Sequence, residues 1–384
     1  MSPSRARELA ALGQSVWLDY IHRQEFDSGV FASQVRDQGV SGVTSNPTIF
    51  QQAIAAGGAY DASIERHLAA GLAGPALFER LAVEDIQTAC DLLARVHEES
   101  GGRDGRVSIE VSLRLAHDTS GTIEEARRLH RAVARPNVMV KVPATAEGLP
   151  AIAALTAEGL CINVTLIFSL ARYEQVMDAY LAGLERRAAQ GLPLDRIHSV
   201  ASFFVSRVDT KLDRAIDAAL TALPAGDARR AELEAAKGRG AIANARLAYA
   251  RFREVFGAPR FRSLERREAR LQRPLWASTS TKNPAYPDTL YVDELIGPDT
   301  VNTMPPATLA AFNDHGRVEP RVQHDLPGAR AVFARLTELG VPVESLIEQL
   351  EAEGVRTFAK SYDELLATLE TRRREMVAQR GQAR

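Results

Sequence analysis

Cysteine is nearly absent from this chain: Cys90 and Cys161 are the only two in 384 residues. A disulfide-built secreted scaffold needs more, so both thiols are expected to be reduced and buried. Long apolar runs are missing too. No stretch approaches the roughly 18 residues that span a bilayer, and MSPSRARELA is followed by no apolar core of an export signal. The expectation is a cytoplasmic protein with no membrane partner. Nor is there an excess of one charge: 47 Lys and Arg face 49 Asp and Glu, which gives no global attraction for nucleic acid. His22, His117, His198, His315 and His324 are scattered without HExxH or tight pairing, so no metal site is expected. Lysine is the scarcest charged residue, only five of the 47 cations, at 141, 211, 237, 282 and 360. Two explanations stand for a lysine kept at 141 in so Arg-rich a chain: a need for a deprotonable amine, which Arg cannot supply, or chance.

What is present is alternation. Eight short β-rich runs, at 15–20, 42–47, 107–112, 138–144, 161–168, 197–205, 273–280 and 299–305, are separated by segments of helical period. Eight parallel strands with crossover helices close a small barrel. The reading is therefore an α/β chain, one (β/α)8 TIM-barrel domain over 1–384, with helical insertions and a C-terminal helical extension. Residues 48–106 suggest two or three helices, 206–272 a long helical stretch, and SYDELLATLETRRREMV a last helix. GRGAIANA (238–245) resembles a dinucleotide fingerprint only superficially, because it follows helical AELEAAK instead of a strand. The Arg-rich run 260–273 contains Glu265 and Glu268 and no aromatic ladder, and reads as a solvated helix face.

Barrel enzymes place their chemistry at the carboxyl ends of the strands. Polar residues there are Asp19, Asn46, Glu110, Lys141, Asn163, Thr165, Ser202, Ser278 and Lys282. Lys141 stands among Val138, Met139, Val140 and Val142. It is either a lysine snorkelling to water or paired with an acid, or a nucleophile whose pKa a desolvated or cationic site must lower. Asp19 and Glu110 are carboxylates in apolar strands, costly unless paired or hydrogen-bonded. They are structural ion-pair partners, or the acids that an imine-forming, ketose-cleaving enzyme needs for a substrate hydroxyl and a water.

Taken together, WLDYIHR, GVTSNPTIF, SIEVS, VMVKVPAT, INVTLIFS and ASFFVSRVD, with WASTSTKNPAYPDTLYVDELIGPDTVNTMP at 276–305, resemble the transaldolase family, in its longer bacterial branch. The resemblance implies a class I aldolase barrel that needs no cofactor or metal and moves a dihydroxyacetone unit between sugar phosphates, as a monomer or homodimer. By position it makes Lys141 the Schiff-base lysine and Asp19 the acid/base, with Glu110 and Thr165 holding the catalytic water. It gives Asn46 and Asn163 to the dihydroxyacetone part, and Ser202, Phe204, Arg207 and Ser278 to substrate and phosphate. Two departures stand out. Lys282 occurs in a longer STSTKN loop where the family carries an arginine, and SFFVSR replaces the common SPFVGR. Arg207 and Lys282 would then clamp phosphate, unless Asp209 or Asp288 neutralises one of them. Two rival functions share the fold: an aldolase that releases free dihydroxyacetone without an acceptor, and an inactive barrel serving as a binding subunit. Retention of Lys141, Asp19 and Glu110 together argues against the second.

Overall fold

β-branched and aromatic residues dominate the short runs and suit a pleated sheet covered on both faces. The computed structural model describes residues 4–382. In it the runs form β1 (Gln14–Leu18), β2 (Val40–Val43), β3 (Arg106–Glu110), β4 (Val138–Pro143), β5 (Ile162–Ile167), β6 (Ser199–Phe204), β7 (Gln272–Ala277) and β8 (Thr300–Met304). They pair in chain order, all parallel, and β8 closes on β1. The fold is a (β/α)8 barrel.

All eight expected runs overreach the strands at their carboxyl ends, most of all 42–47, where the strand stops at Val43. The physical reason is local. Asn46 caps a helix that opens with Pro47, and Ser278 takes a positive φ of 57°, so these residues turn out of the sheet to build the rim. The insertions also differ from expectation. Residues 48–106 hold most of Pro47–Ala55 and the helices Asp61–Ala69, Gly74–Leu92 and Ala94–Glu99, four in place of two or three. Residues 206–272 are four helices, Ser206–Ala222, Arg229–Ala236, Gly240–Gly257 and Pro259–Glu265, not one long stretch. The Arg-rich run is a solvated face only in part. Arg273 is buried in β7, where it donates to Asp104 (3.1 Å) and Ser15 (2.7 Å).

Two features position the site. Register sets Glu110 opposite Lys141 and Lys141 opposite Asn163, so three polar side chains from adjacent strands stand next to one another on the same face of the sheet. The C-terminal helix, Val343–Gln382, starts well before the expected segment and lies over the carboxyl end of the barrel. Its Ile347, Leu350, Val355, Phe358, Leu365 and Leu369 form the buried stripe of an amphipathic helix. Arg172–Glu351 (2.8 Å), Lys211–Glu353 and Thr48–Ser361 (2.9 Å) tie it to the helices around the mouth. Cys90 and Cys161 are both buried and free, and among the described residues no helix is long and apolar enough to cross a membrane.

Candidate active site

A cavity of about 590 Å³ opens at the carboxyl end of the strands, with Lys141 at its floor. The Lys141 side chain is 5% exposed. Its Nζ donates to the backbone oxygen of Ser45 (3.0 Å) and lies 3.4 Å from Glu110 Oε2. Burial pushes the Glu110 carboxyl above the usual range and Lys141 pulls it back. Glu110 Oε1 and Thr165 Oγ1 are buried with no hydrogen-bond partner among the described residues. Such oxygens lack the hydrogen bond that buried polar atoms nearly always make, and a reaction water would supply it.

Asp19, just past the end of β1, faces the same cavity. Thr44 Oγ1 donates to its Oδ1 at 2.6 Å and is itself 2.7 Å from Thr303 Oγ1. Burial raises the Asp19 pKa; the Thr44 hydrogen bond and then Lys141, Lys282 and Arg207 oppose the rise. The carboxylate thus has a fixed orientation, an upward-shifted pKa and a neighbouring amine, which suits proton transfer near a reacting centre.

Arg207, Lys282, Ser278 and Ser280 line the cavity toward its mouth. The Arg207 guanidinium stands over the rings of Phe204 (5.4 Å) and Phe358 (5.1 Å), and burial lowers its pKa. Lys282 Nζ donates to Ser280 Oγ (2.8 Å), and burial followed by the Arg207 charge lowers its pKa. Asp209 and Asp288 do not neutralise this pair, because they accept from Tyr291 and bind His315 instead. Among the described residues no acid forms an ion pair with either cation, and two cations beside polar hydroxyls attract an anion.

Most of the expected residues therefore gather on one cavity; Glu110 and Asn163 do not line it, Glu110 reaching it only through Lys141 and lining a smaller neighbouring pocket with Ser45, Ile109 and Glu125. The Nδ2 of Asn163 donates to Ser108 Oγ (3.0 Å) and its Oδ1 accepts from Ser202 (2.7 Å), so the amide is engaged inside the barrel, behind the cavity-lining Ser202. Asn46 has a second task. Its Oδ1 accepts from Ile49 N (3.0 Å) as the helix cap, which leaves its NH₂ for the cavity. Thr44, Thr303, Ser280, Tyr20 and Phe358 line the site and were not among the expected residues. Thr44 and Thr303 lie just after β2 and within β8, where a search for polar residues at strand ends would find them. Phe358 comes from the C-terminal helix, and nothing in its local sequence signals it. Among the described residues no group of three or more His, Cys, Asp and Glu gathers as metal ligands would.

A closed parallel barrel with a buried amine at its carboxyl end, two carboxylates beside it and cations at the mouth defines a class I aldolase-type enzyme, one that works on a carbonyl through an amine. The chain belongs to the Transaldolase/Fructose-6-phosphate aldolase family, whose profile matches residues 16–369. It is 49% identical over 364 residues to "Transaldolase 1" of Streptomyces coelicolor, covering 94% of this chain and 93% of that protein. It is likewise 49% identical over 359 residues to the transaldolase of Mycolicibacterium smegmatis (93% and 94% covered). The transaldolase of Mycobacterium tuberculosis is 49% identical over 360 residues, with 93% of this chain and 94% of that protein covered.

Proposed function

We propose that Lys141 is the amine through which this chain carries out the transaldolase reaction, transfer of a dihydroxyacetone unit from sedoheptulose 7-phosphate or fructose 6-phosphate to an aldose phosphate. The observation that carries the reading is a buried amine 3.4 Å from Glu110 in a cavity it shares with Asp19. Nζ adds to the ketose carbonyl carbon and the carbinolamine loses water, leaving an iminium. Asp19 takes the proton of the C4 hydroxyl, the C3–C4 bond breaks, and its electron pair moves into the iminium to give an enamine. An aldose phosphate leaves. The enamine then attacks the carbonyl of a second aldehyde, and water releases the product from Lys141. Glu110 and Thr165, each with an oxygen lacking a protein partner, hold that water at the imine carbon. The reading extends to a cytoplasmic enzyme of the non-oxidative pentose phosphate pathway, acting as a monomer or homodimer.

Arg207 and Lys282, with Ser278 beside them, bind the phosphate. Lys282→Ala should raise KM for fructose 6-phosphate while leaving the weak turnover of unphosphorylated sugars unchanged, since a contact to a non-reacting group acts through binding. Arg207→Ala should do the same and cost more, because a guanidinium binds phosphate bidentately. Steady-state kinetics on both substrates decides. Equal losses on phosphorylated and plain sugars would remove the phosphate assignment.

Asn46 offers a separate test, because its oxygen caps a helix and its NH₂ faces the cavity. Aspartate caps as well as asparagine but has no amide donor. Asn46→Asp should keep the melting temperature and raise the donor KM by roughly tenfold, about the worth of one hydrogen bond. A lower melting temperature with an unchanged KM would leave Asn46 only its cap.

A further inference from the structure

The Gly238–Arg239–Gly240 turn, which lacks the strand that a dinucleotide site requires, has another occupation in the fold. It packs against two carboxylates of the Ser206–Ala222 helix, the element that also carries Arg207. Asp209 is 1% exposed; its Oδ1 accepts from Ala241 N (2.7 Å) and its Oδ2 from the Tyr291 hydroxyl (2.8 Å). One helical turn on, Asp213 repeats the pattern: Oδ1 accepts from Gly238 N (3.1 Å) and Oδ2 from the Tyr286 hydroxyl (2.6 Å). Positions four apart share a helix face, so the two pairs form a ladder.

Both tyrosines follow Lys282: Tyr286 lies in the segment between β7 and the helix Leu290–Glu294, and Tyr291 is the second residue of that helix. At its start the segment is held by Ser206 N to Ser278 O (3.0 Å) and by the Ser206 and Ser278 hydroxyls (2.9 Å). At its far end the tyrosines hold it. Lys282 lies between these two anchors, and among the described residues its one side-chain hydrogen bond is to Ser280. Glycine is required in the seat. Gly238 has a φ of +70°, and a Cβ there would come within 2.8 Å of the Tyr286 ring; one at Gly240 would come within 2.4 Å of Leu212. Burial pushes the Asp209 carboxyl up to about 7. A buried acid with no ion-pair partner is a poor source of stability, whereas its directional hydrogen bonds fix what they touch.

We propose that Asp209–Tyr291 and Asp213–Tyr286, seated on the Gly238–Gly240 turn, form a clamp of positioning residues that holds the Lys282 segment against the Arg207 helix and so sets recognition of the substrate phosphate. The clamp joins the two cations through one rigid unit: Arg207 stands two residues before Asp209 on the helix, and Lys282 four before Tyr286 on the segment. This inference rests on the phosphate reading above.

The test compares Tyr286→Phe, Tyr291→Phe and the double variant with Lys282→Ala. Phenylalanine keeps the ring packing and removes only the hydroxyl donors, so the fold should survive. The double variant should raise KM for fructose 6-phosphate by roughly tenfold, the scale of one or two hydrogen bonds. It should leave kcat and the turnover of unphosphorylated sugars unchanged. Amide hydrogen exchange over residues 278–290 should accelerate with the rest of the barrel unaffected, which reports the hold on the segment, while the selective rise in KM is the response that a merely structural role would not give. Where Lys282→Ala shifts KM selectively, the clamp is overturned if the tyrosine variants do not, whether they lose activity equally on phosphorylated and plain sugars or keep it on both. If no variant, Lys282→Ala included, separates the two substrates, the phosphate reading falls. Exchange over 278–290 then decides the clamp: unchanged rates overturn it, and locally faster rates keep it as the holder of this segment.

Discussion

Replacing Lys141 by arginine should abolish turnover, lowering it by on the order of 10⁶-fold, the scale on which removal of a covalent nucleophile is felt. Arginine keeps the positive charge and can still donate to the Ser45 carbonyl and to Glu110, so the barrel floor loses neither its charge balance nor its hydrogen bonds. What it lacks is an amine that can shed its proton and attack a carbonyl, because a guanidinium stays charged at every accessible pH. The melting temperature should hold within a few degrees while activity disappears. Substantial residual turnover with an intact fold would mean that the amine only steers the substrate by charge and that the reaction does not pass through an imine.

Asp19→Asn should separate two steps that Lys141→Arg removes together. Asparagine is nearly isosteric, and its carbonyl can accept the Thr44 hydroxyl at the position of Oδ1. It cannot take a proton from the C4 hydroxyl. Imine formation should survive, and C3–C4 cleavage should slow by roughly 10²- to 10⁴-fold, the range of general base catalysis. The pH profile gives an independent reading. Asp19 must be ionised to act as the base, and burial raises its pKa. The protonated fraction therefore grows as pH falls through a value above that of an ordinary aspartate, and kcat/KM should fall along an acid limb there. In Asp19→Asn that limb should vanish. Near wild-type turnover of the variant would place the base elsewhere.

The barrel was legible because each strand is a short apolar run between helical segments, a signal that survives without any alignment. Strand ends were less so. Asp19, Asn46 and Ser278 look continuous with their strands in sequence, yet they leave the sheet because the rim needs capped helices and a left-handed residue. Lys141 and Glu110 could be picked out because charged residues in apolar strands are expensive, and register then brought them together. Asn163 carried the same polar-in-strand signal and has a different situation: its amide is engaged by Ser108 and by the cavity-lining Ser202, and does not itself line the cavity. Sequence spacing does not distinguish those two fates, since both put a side chain inside the barrel. Phe358 was invisible for another reason. Its place at the cavity depends on how a helix far along the chain folds back over the mouth, and a local pattern of helical period reports only that one face is buried. The tyrosine hydroxyls at 286 and 291 were hidden likewise, because their partners come from a helix some seventy to eighty residues earlier.

The most direct measurement is borohydride reduction of the unmodified enzyme in the presence of fructose 6-phosphate, followed by proteolysis and mass mapping of the peptides. A single adduct, a reduced three-carbon dihydroxyacetone unit on the peptide that contains Lys141, is the predicted result. An adduct on Lys282 or any other lysine, or no adduct with fructose 6-phosphate or sedoheptulose 7-phosphate, would contradict it.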